Sequence, residues 1–335
     1  MLQTLGLLRF AVVLTSFIAF GAHAEHAAAS PDHGDAQVWL KKIQSSAQKL
    51  SYEGTFVYQQ GAQMRTSRIT HLMHGRHELE KLEILDGPPR EYIRNNEEIS
   101  CYLPDSKSIQ IEKRITHDIF PAILAADPDE LARHYELKKG ETGRVAGRET
   151  QIILLEPKDK LRYGYRLWAD KATGLLLRVQ TIDTKDDVIE QIAFTDISIG
   201  HVSSASVKSS YPDIHGWHVE NAVMQDADLS NWTVTDMLPG FKKIREIKRI
   251  IADSPSVPGA PPKQRQVSQI VYSDGLAAIS IFIEPSTESR TEGTMQQGAM
   301  NILGKRLGNF WITVVGEVPA AAIKQVADSI EFKSK

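Results

Sequence analysis

The seven residues Tyr52-Glu53-Gly54-Thr55-Phe56-Val57-Tyr58 decide the fold, because bulky and small or polar side chains alternate along them. Tyr52, Phe56 and Tyr58 share one face if successive side chains point to opposite sides, as in a β-strand. Similar stretches, separated by Gly, Pro, Asn and Asp turn residues, continue to about residue 197 and predict an antiparallel meander. The further predicted strands are 67–72, 78–84, 91–94, 99–103, 108–113, 135–137, 151–156, 163–169, 175–181 and 188–197.

Two predicted helices accompany these strands. The first covers residues 35–50, where apolar residues recur at helical spacing. The second covers residues 127–134 and starts with Asp127 as the capping residue and Pro128 at its first position. With only two or three helices, part of one face is either left open for an apolar ligand or plugged by the helices themselves. The side chains expected to form the buried stripe of the first helix are Trp39, Ile43, Ala47 and Leu50.

The chain after residue 200 has a different organisation. Residues 201–215 begin with a polar, serine-rich run and are predicted to be a linker. Strands and a final helix that begins at Pro319 follow, which favours a second, smaller α+β domain. The predicted strands of this domain include 267–273, 276–284, 302–305 and 310–315, and the final helix would bury Ile323, Val326, Ala327 and Ile330.

The first 24 residues are predicted to be a cleaved signal peptide. Arg9 precedes an apolar run, residues 10–20, which is too short to span a bilayer comfortably. Ala22-His23-Ala24 then resembles a signal-peptidase site, so the exported chain would begin at Glu25. An uncleaved membrane anchor is the alternative interpretation.

The composition of the exported chain is that of an ordinary globular protein. Removal of residues 1–24 takes away one Arg and no acid, which leaves 38 basic and 42 acidic residues and a net charge of −4. A nearly balanced charge gives no reason to expect nucleic-acid binding. Cys101 is the only cysteine, so an internal disulfide framework is excluded. We expect Cys101 to be a half-buried strand residue, although an intermolecular disulfide is an alternative.

No sequence motif for catalysis is found, and we expect no enzymatic activity, metal or cofactor. The chain lacks the nucleophile-elbow, phosphate-loop and zinc-helix patterns. His71, His74 and His77 are spaced by three, and positions three apart on a strand face opposite sides. The acidic residues between 183 and 190 lack the glycine and the spacing of a calcium loop, so a solvated hairpin turn is expected.

Large apolar side chains accumulate on the predicted N-terminal strands. Two interpretations stay open, because a filled core and a concave pocket for acyl chains share one sequence pattern. The residues that would line such a lipid cavity are Tyr52, Phe56, Tyr58, Tyr163, Tyr165, Leu167, Leu175, Leu177 and Phe194.

A basic cluster lies in the second region, with five basic residues within eight positions. Isoleucines interleave with them at a spacing of three, which does not distinguish helix from strand. The cluster is either a solvated face or a patch for an acidic protein segment or lipid phosphates. The basic residues that would bind such a partner are Lys242, Lys243, Arg245, Lys248 and Arg249.

Several runs, in the same order along the chain, resemble the MucB/RseB family of periplasmic regulators. The resemblance covers nearly all of the chain after the signal peptide. The runs that carry it are 50–58 (LSYEGTFVY), 85–91 (LDGPPRE), 163–170 (YGYRLWAD), 173–176 (TGLL), 238–241 (LPGF), 272–276 (YSDGL) and 314–319 (VVGEVP).

This resemblance implies an α+β fold class. Residues 25–200 would form an unclosed antiparallel β half-barrel with helices, similar to lipoprotein carriers. Residues 201–215 would be the linker, and residues 216–335 the C-terminal α+β domain that binds the partner.

The resemblance also implies a function in the periplasm. Members of the family bind the periplasmic part of a membrane-anchored anti-sigma factor and protect it from a site-1 protease, and lipid or lipopolysaccharide releases it. The apolar set would then sense lipid and the basic cluster would help to hold the partner. A homo-oligomer such as a dimer is compatible with the family. A periplasmic lipid or lipoprotein carrier or chaperone is the alternative function, and an envelope hydrolase is a poorer one because no titratable cluster suggests it.

Overall fold

The computed structural model describes residues 33–75, 77–113, 127–222, 224–252, 264–286 and 290–333. The predicted signal peptide, residues 1–24, lies outside the described residues. Among the helices in the described ranges, none has the length and apolarity needed to cross a membrane.

The larger of the two main sheets has 12 strands. They are β1 (Tyr52–Gln60), β2 (Gln63–His74), β3 (His77–Ile84), β4 (Arg90–Asn95), β5 (Glu98–Leu103), β6 (Ser108–Lys113), β7 (Tyr135–Val145), β8 (Arg148–Pro157), β9 (Gly164–Asp170), β10 (Leu176–Ile182), β11 (Val188–Ile199) and β12 (His218–Ala222). Their order is β12-β6-β5-β4-β3-β2-β1-β11-β10-β9-β8-β7, and neighbours are antiparallel except β12 and β6. Because β12 and β7 are its two edges, the sheet is unclosed, which confirms the predicted architecture.

Helix α1 (His33–Lys49) packs against β7 and β8, close to where the sequence predicts it. The helix buries a different face from the predicted one, and only Ile43 belongs to both sets of residues. Ser46 faces inward because its hydroxyl donates to the carbonyl of Thr173 at 2.6 Å, while Trp39 stays at the margin beneath the ammonium of Lys42. The buried residues of the helix are Ala36, Leu40, Ile43 and Ser46. Helix α2 (Pro128–His134) begins as predicted, with the Asp127 carboxylate accepting from the Asp129 amide.

The second main sheet has seven strands and one covering helix. Its elements, with a separate pair formed by β14 and β21, are β13 (Met224–Asp226), β14 (Trp232–Val234), β15 (Lys242–Ala252), β16 (Gln264–Ser273), β17 (Ala278–Pro285), β18 (Gly293–Gln297), β19 (Met300–Leu307), β20 (Phe310–Gly316), α3 (Ala320–Asp328) and β21 (Ile330–Phe332). The sheet order is β13-β15-β16-β17-β20-β19-β18, and α3 packs on β19 and β20. The predicted inward residues Ile323, Val326, Ala327 and Ile330 are all buried.

The segment that connects the two sheets is packed along the first one. Lys81 and Glu91 form a buried ion pair of 2.7 Å, and Ser210 joins it through its amide, which donates to Glu91 at 3.0 Å. The rings of Tyr211 and Trp217 pack on Tyr102. β12 then adds to the edge of the first sheet, so residues 201–222 are held by that sheet. The domain boundaries given above stay a prediction.

The hairpin between β9 and β10 depends on one buried carboxylate. One oxygen of Asp170 accepts from the amide and the hydroxyl of Thr173, both at 2.8 Å, and the other accepts from Arg148 Nε at 2.8 Å. Burial alone would raise the pKa of Asp170, but the hydrogen bonds from Arg148 and Thr173 outweigh it and hold the pKa below its ordinary value. Gly174 follows with a positive φ of 86° and has no room for a side chain beneath α1.

We expect Asp170→Asn to lower the free energy of unfolding by about 2 kcal/mol at pH 7, because charge-assisted hydrogen bonds are lost. A lowered carboxyl pKa contributes stability that is present above the unfolded-state pKa and is lost as the pH falls through the folded-state pKa. The difference from wild type should therefore shrink towards pH 3 in urea unfolding experiments.

The matched control is Asp186→Asn, since Asp186 lies in the next hairpin and makes an exposed ion pair with Arg166. We expect this control to lose less than about 1 kcal/mol. Equal losses for the two variants, or a difference that persists at pH 3, would contradict the role given to Asp170.

Candidate functional surfaces

A buried arginine joins the two main sheets. Arg162 lies in the loop between β8 and β9, and its side chain is fully buried. Its Nη1 donates to Asp274 Oδ2 at 2.9 Å, and its Nη2 donates to the carbonyl of Pro239 at 2.6 Å. Its Nε donates to Asp159 at 3.1 Å within the same loop. One guanidinium thus connects the first sheet to two separate turns of the second region.

Asp274 is equally well satisfied. It lies in the turn between β16 and β17, where its Oδ1 accepts from the amides of Leu276 and Ala277 at 3.0 and 2.9 Å. The guanidinium of Arg162 lies 5.5 Å from the centroid of the Tyr135 ring. Removing two charges from water is unfavourable unless both are hydrogen-bonded on all sides, and this arrangement provides those bonds.

Beside this ion pair, each half also packs one leucine against the hydrophobic core of the other half. Leu276, from the turn of the second sheet, belongs to the buried cluster beneath α1, and Leu161, from the first sheet's loop, packs in the core beneath α3. Gly240 adopts a φ of 82° directly against the ring of His134, where a side chain would not fit. The runs 238–241 and 272–276, which carry the family resemblance, therefore build this junction. Arg162 itself was missed from the sequence because it follows the charged run 158–160, which is typical of an exposed loop.

A small cavity lies between the ends of strands β1, β2 and β11, in the middle of the first sheet, and the ends of β18 and β19 of the second. It has a volume of about 240 Å³, below the range of roughly 300–1,000 Å³ typical of ligand pockets. Tyr58 donates to Glu190 at 3.0 Å across it, and burial, then Glu190, raise the pKa of Tyr58. The lining residues are Tyr58, Gln60, Gln63, Arg65, Glu190, Gln297, Met300 and Glu317, which make the cavity largely polar.

The predicted lipid-cavity residues divide among several environments. Tyr52, Phe56, Leu175, Leu177 and Phe194 pack together in one buried cluster, and Tyr165 and Leu167 belong to the cluster beneath α1. Tyr163 is buried at the junction, where Asn301 donates to its hydroxyl at 3.0 Å. Tyr58 lines the polar cavity described above. The structure therefore brings seven of the nine side chains into two packed clusters.

The predicted basic cluster lies on strand β15, which settles the ambiguity between helix and strand. Lys242 is 65% exposed at its side chain and pairs with Glu130 of α2 at 2.6 Å, and Lys243 pairs with Glu246 at 2.6 Å. The structure places the remaining members, Arg245, Lys248 and Arg249, at intermediate exposure, with Arg249 packed over the ring of Phe282.

The acidic loop and Cys101 lie where the sequence predicts them, whereas the histidines, expected to be exposed together, are divided. His71 is buried, whereas His74 and His77 are exposed, so the three do not converge. Asp183 caps a hairpin turn by accepting from the amides of Lys185 and Asp187. Cys101 is a free, half-buried residue of β5.

Comparisons with known proteins match nearly the whole described chain. Residues 35–214 match the family model of the MucB/RseB N-terminal domain, and residues 226–331 match that of the MucB/RseB C-terminal domain. The sigma factor AlgU regulatory protein MucB of Pseudomonas aeruginosa is 29% identical over 303 residues, covering 88% of this chain and 90% of that protein. The sigma-E factor regulatory protein RseB of Escherichia coli K12 is 27% identical over 96% of both chains. A crystal structure of MucB in complex with MucA(peri) has a TM-score of 0.69 and 29% identity, over 90% of this chain and all of that one.

We expect Arg162→Met to lower the free energy of unfolding by about 3–5 kcal/mol, because Asp274 would stay buried without its partner. Urea unfolding at pH 7 measures this loss. The matched control is Arg166→Met, which removes an ion pair of 2.6 Å at the surface and should lose less than about 1 kcal/mol. Similar losses in both variants would show that the Arg162 ion pair does not hold the junction.

Proposed function

Because this chain belongs to the MucB/RseB family, we propose that it is a periplasmic negative regulator of an envelope-stress sigma factor. In this role it binds the periplasmic part of a membrane-anchored anti-sigma factor and shields it from the site-1 protease. It acts by binding and not by catalysis, and lipid or lipopolysaccharide releases it. The observation that carries the proposal is the match over the full length of a MucB chain that was crystallised with MucA(peri).

The start of β15 is suited to hold an acidic partner segment. Lys242 and Lys243 project from it beside Ile244, which is 49% exposed. Lys242 and its present partner Glu130 are 65% and 45% exposed, and such an exposed ion pair is weak enough to be exchanged. Lys243 and its partner Glu246 are 43% and 19% exposed. An acidic segment with an apolar residue would therefore find both charge and contact area here.

The backbone of this half-strand supports the same assignment. β13 pairs with β15 only at Ile247, Lys248 and Arg249. Among the described residues, the stretch 242–245 therefore has a strand neighbour on one side only, β16. An extended partner segment could add to that edge with main-chain hydrogen bonds, a common mode of peptide recognition.

The apolar clusters of the first sheet are suited to couple lipid binding to the partner site. Phe56 and Phe194 meet edge to face, with ring centroids 5.8 Å apart, so an acyl chain that enters must separate them. Tyr165 and Leu167 share a buried cluster with Leu276. A lipid that rearranges the cluster beneath α1 would thus disturb the turn that carries Asp274, and with it the junction.

We expect the double variant Lys242→Glu/Lys243→Glu to bind the periplasmic segment of the host's anti-sigma factor at least about tenfold more weakly, chiefly through a slower association rate. Two reversed charges repel an acidic segment over the distance at which it approaches. Association kinetics at low and high salt measure the effect, and the difference should shrink as salt screens it.

Lys324→Glu/Lys333→Glu is the control, because both lysines are exposed in the second region but lie outside β15. It carries the same change in net charge. An equal loss of affinity in the two double variants, or no loss in either, would remove β15 from the partner site.

We expect lipopolysaccharide to weaken binding of the anti-sigma segment, and the segment to weaken binding of lipopolysaccharide by the same factor. This reciprocity follows from linkage between two sites on one protein. Titration of the purified protein with each ligand, in the absence and presence of the other, measures both factors. Digestion of the segment by the site-1 protease should slow when the protein is added and recover with lipopolysaccharide.

Tight binding of the segment that lipopolysaccharide does not change would support the shielding function and contradict the lipid-sensing function. Failure to bind the segment, together with lipid retained on the purified protein, would favour a lipid or lipoprotein carrier instead.

A further inference from the structure

A row of polar side chains crosses the interior of the first sheet. The strand pairing places Tyr52 opposite His71, His71 opposite Glu80, and Glu80 opposite Arg94. These four residues retain only 1%, 2%, 3% and 7% of their accessible surface. Buried polar groups are costly unless they are paired. Glu78 pairs with His71 and with Arg94, each at 3.2 Å, whereas the Tyr52 hydroxyl has no hydrogen-bond partner.

The histidine of this row is oriented as metal-binding histidines are. His71 Nδ1 lies 2.8 Å from the carbonyl oxygen of Leu50, which can only accept, so Nδ1 carries the proton. Without a metal, Nε2 donates a second proton to Glu78 Oε1 at 3.2 Å, and a bound ion would take the place of that proton. A ligating histidine commonly fixes its tautomer by donating its other N–H to a backbone carbonyl.

Two carboxylates complete a set of three donors. One donor atom each from His71, Glu78 and Glu80 lies within 4.8 Å of the others. Ligands of a tetrahedral zinc ion are about 3.4 Å apart, so the set would close by at most about 1.4 Å. His71 Nε2 and Glu78 Oε1 already lie 3.2 Å apart, so this movement concerns the distances to Glu80. Arg94 Nη1 lies 3.2 Å from Glu78 Oε1 and would become an outer partner of that ligand.

A fourth group points to a ligand independently of this set. The hydroxyl of Tyr52 is buried and has no hydrogen-bond partner. Its ring lies 5.0 Å from that of His71. The strand pairing of Tyr52 with His71 and of His71 with Glu80 puts this residue on the same face of the sheet as the carboxylates. A bound ion, or a water molecule on that ion, would supply the missing partner.

We propose that His71, Glu78 and Glu80 form a binding site for one divalent transition-metal ion of the zinc type, with the Tyr52 hydroxyl beside its open coordination position. One imidazole with two carboxylates suits zinc or cobalt better than magnesium or calcium, which prefer oxygen ligands alone. Such an ion would connect β2 and β3 inside the sheet. The site is independent of the regulatory function proposed above.

The site is tested by titrating the chelator-treated, full-length protein with Co²⁺ and with Zn²⁺. We expect one Co²⁺ per chain with the visible absorption of a four- or five-coordinate ion, and its displacement by Zn²⁺. Saturating Zn²⁺ should raise the unfolding temperature by about 5 °C. Mg²⁺ at the same concentration should neither displace Co²⁺ nor raise the unfolding temperature.

Variants separate this site from adventitious binding. Glu80→Gln and Glu78→Gln should each weaken Co²⁺ binding at least about tenfold, whereas Glu83→Gln, on the same strand but paired with Lys81, should not. Circular dichroism in the presence of chelator establishes that each variant is folded. His74→Gln/His77→Gln should leave the ion bound, because these exposed residues lie outside the set.

Two results would overturn the proposal. One is the absence of stoichiometric Co²⁺ binding to the folded wild-type protein. The other is binding that survives Glu78→Gln/Glu80→Gln and disappears in His74→Gln/His77→Gln, which would assign it to the surface histidines. Neither result bears on the anti-sigma factor.

Discussion

The buried guanidinium of Arg162 is the interaction on which the relation between the two sheets depends. It is held by Asp274 and by the carbonyl of Pro239, which come from different turns of the second region. A charge removed from water tolerates little displacement, because each lost hydrogen bond leaves a buried group unsatisfied. Leu161 and Leu276 each pack against the core of the other half and add apolar contact on both sides. The junction is therefore expected to hold or to separate as a unit.

This all-or-none character would suit the lipid-responsive regulator proposed above. The turn that supplies Asp274 also supplies Leu276 to the core beneath α1. A change in that core acts on the apolar and the ionic contacts of the junction together. Packed side chains would thus connect the proposed partner site at β15 with the proposed lipid site in the cluster beneath α1. The coupling between the two sites would need no flexible hinge. A protein whose two halves were joined by a loose tether could not couple them in this way.

Much of the fold was predictable, because alternation and turn residues are local signals. The first strand, the cap at Asp127 and the inward residues of α3 are correct for that reason. The buried face of α1 was predicted wrongly because Ser46, a polar residue, faces inward to bind a carbonyl that is distant in sequence. The candidate surfaces were harder to predict. Lys242 lies on a strand because β15 pairs with β16, and Arg162 is buried because it binds Asp274, 112 residues away. No local pattern records such contacts.

The route of residues 201–222 determines where this chain could be divided. Ser210 completes the Lys81–Glu91 ion pair, and β12 covers the edge of β6. A chain that ended at residue 200 would lose both, and β6 would become an open edge of the kind that recruits other chains into aggregates. A recombination event that exchanged the second half for another module would leave the first sheet intact only if the crossover fell after Ala222. A division of the chain that keeps the first sheet whole therefore falls beyond the serine-rich segment.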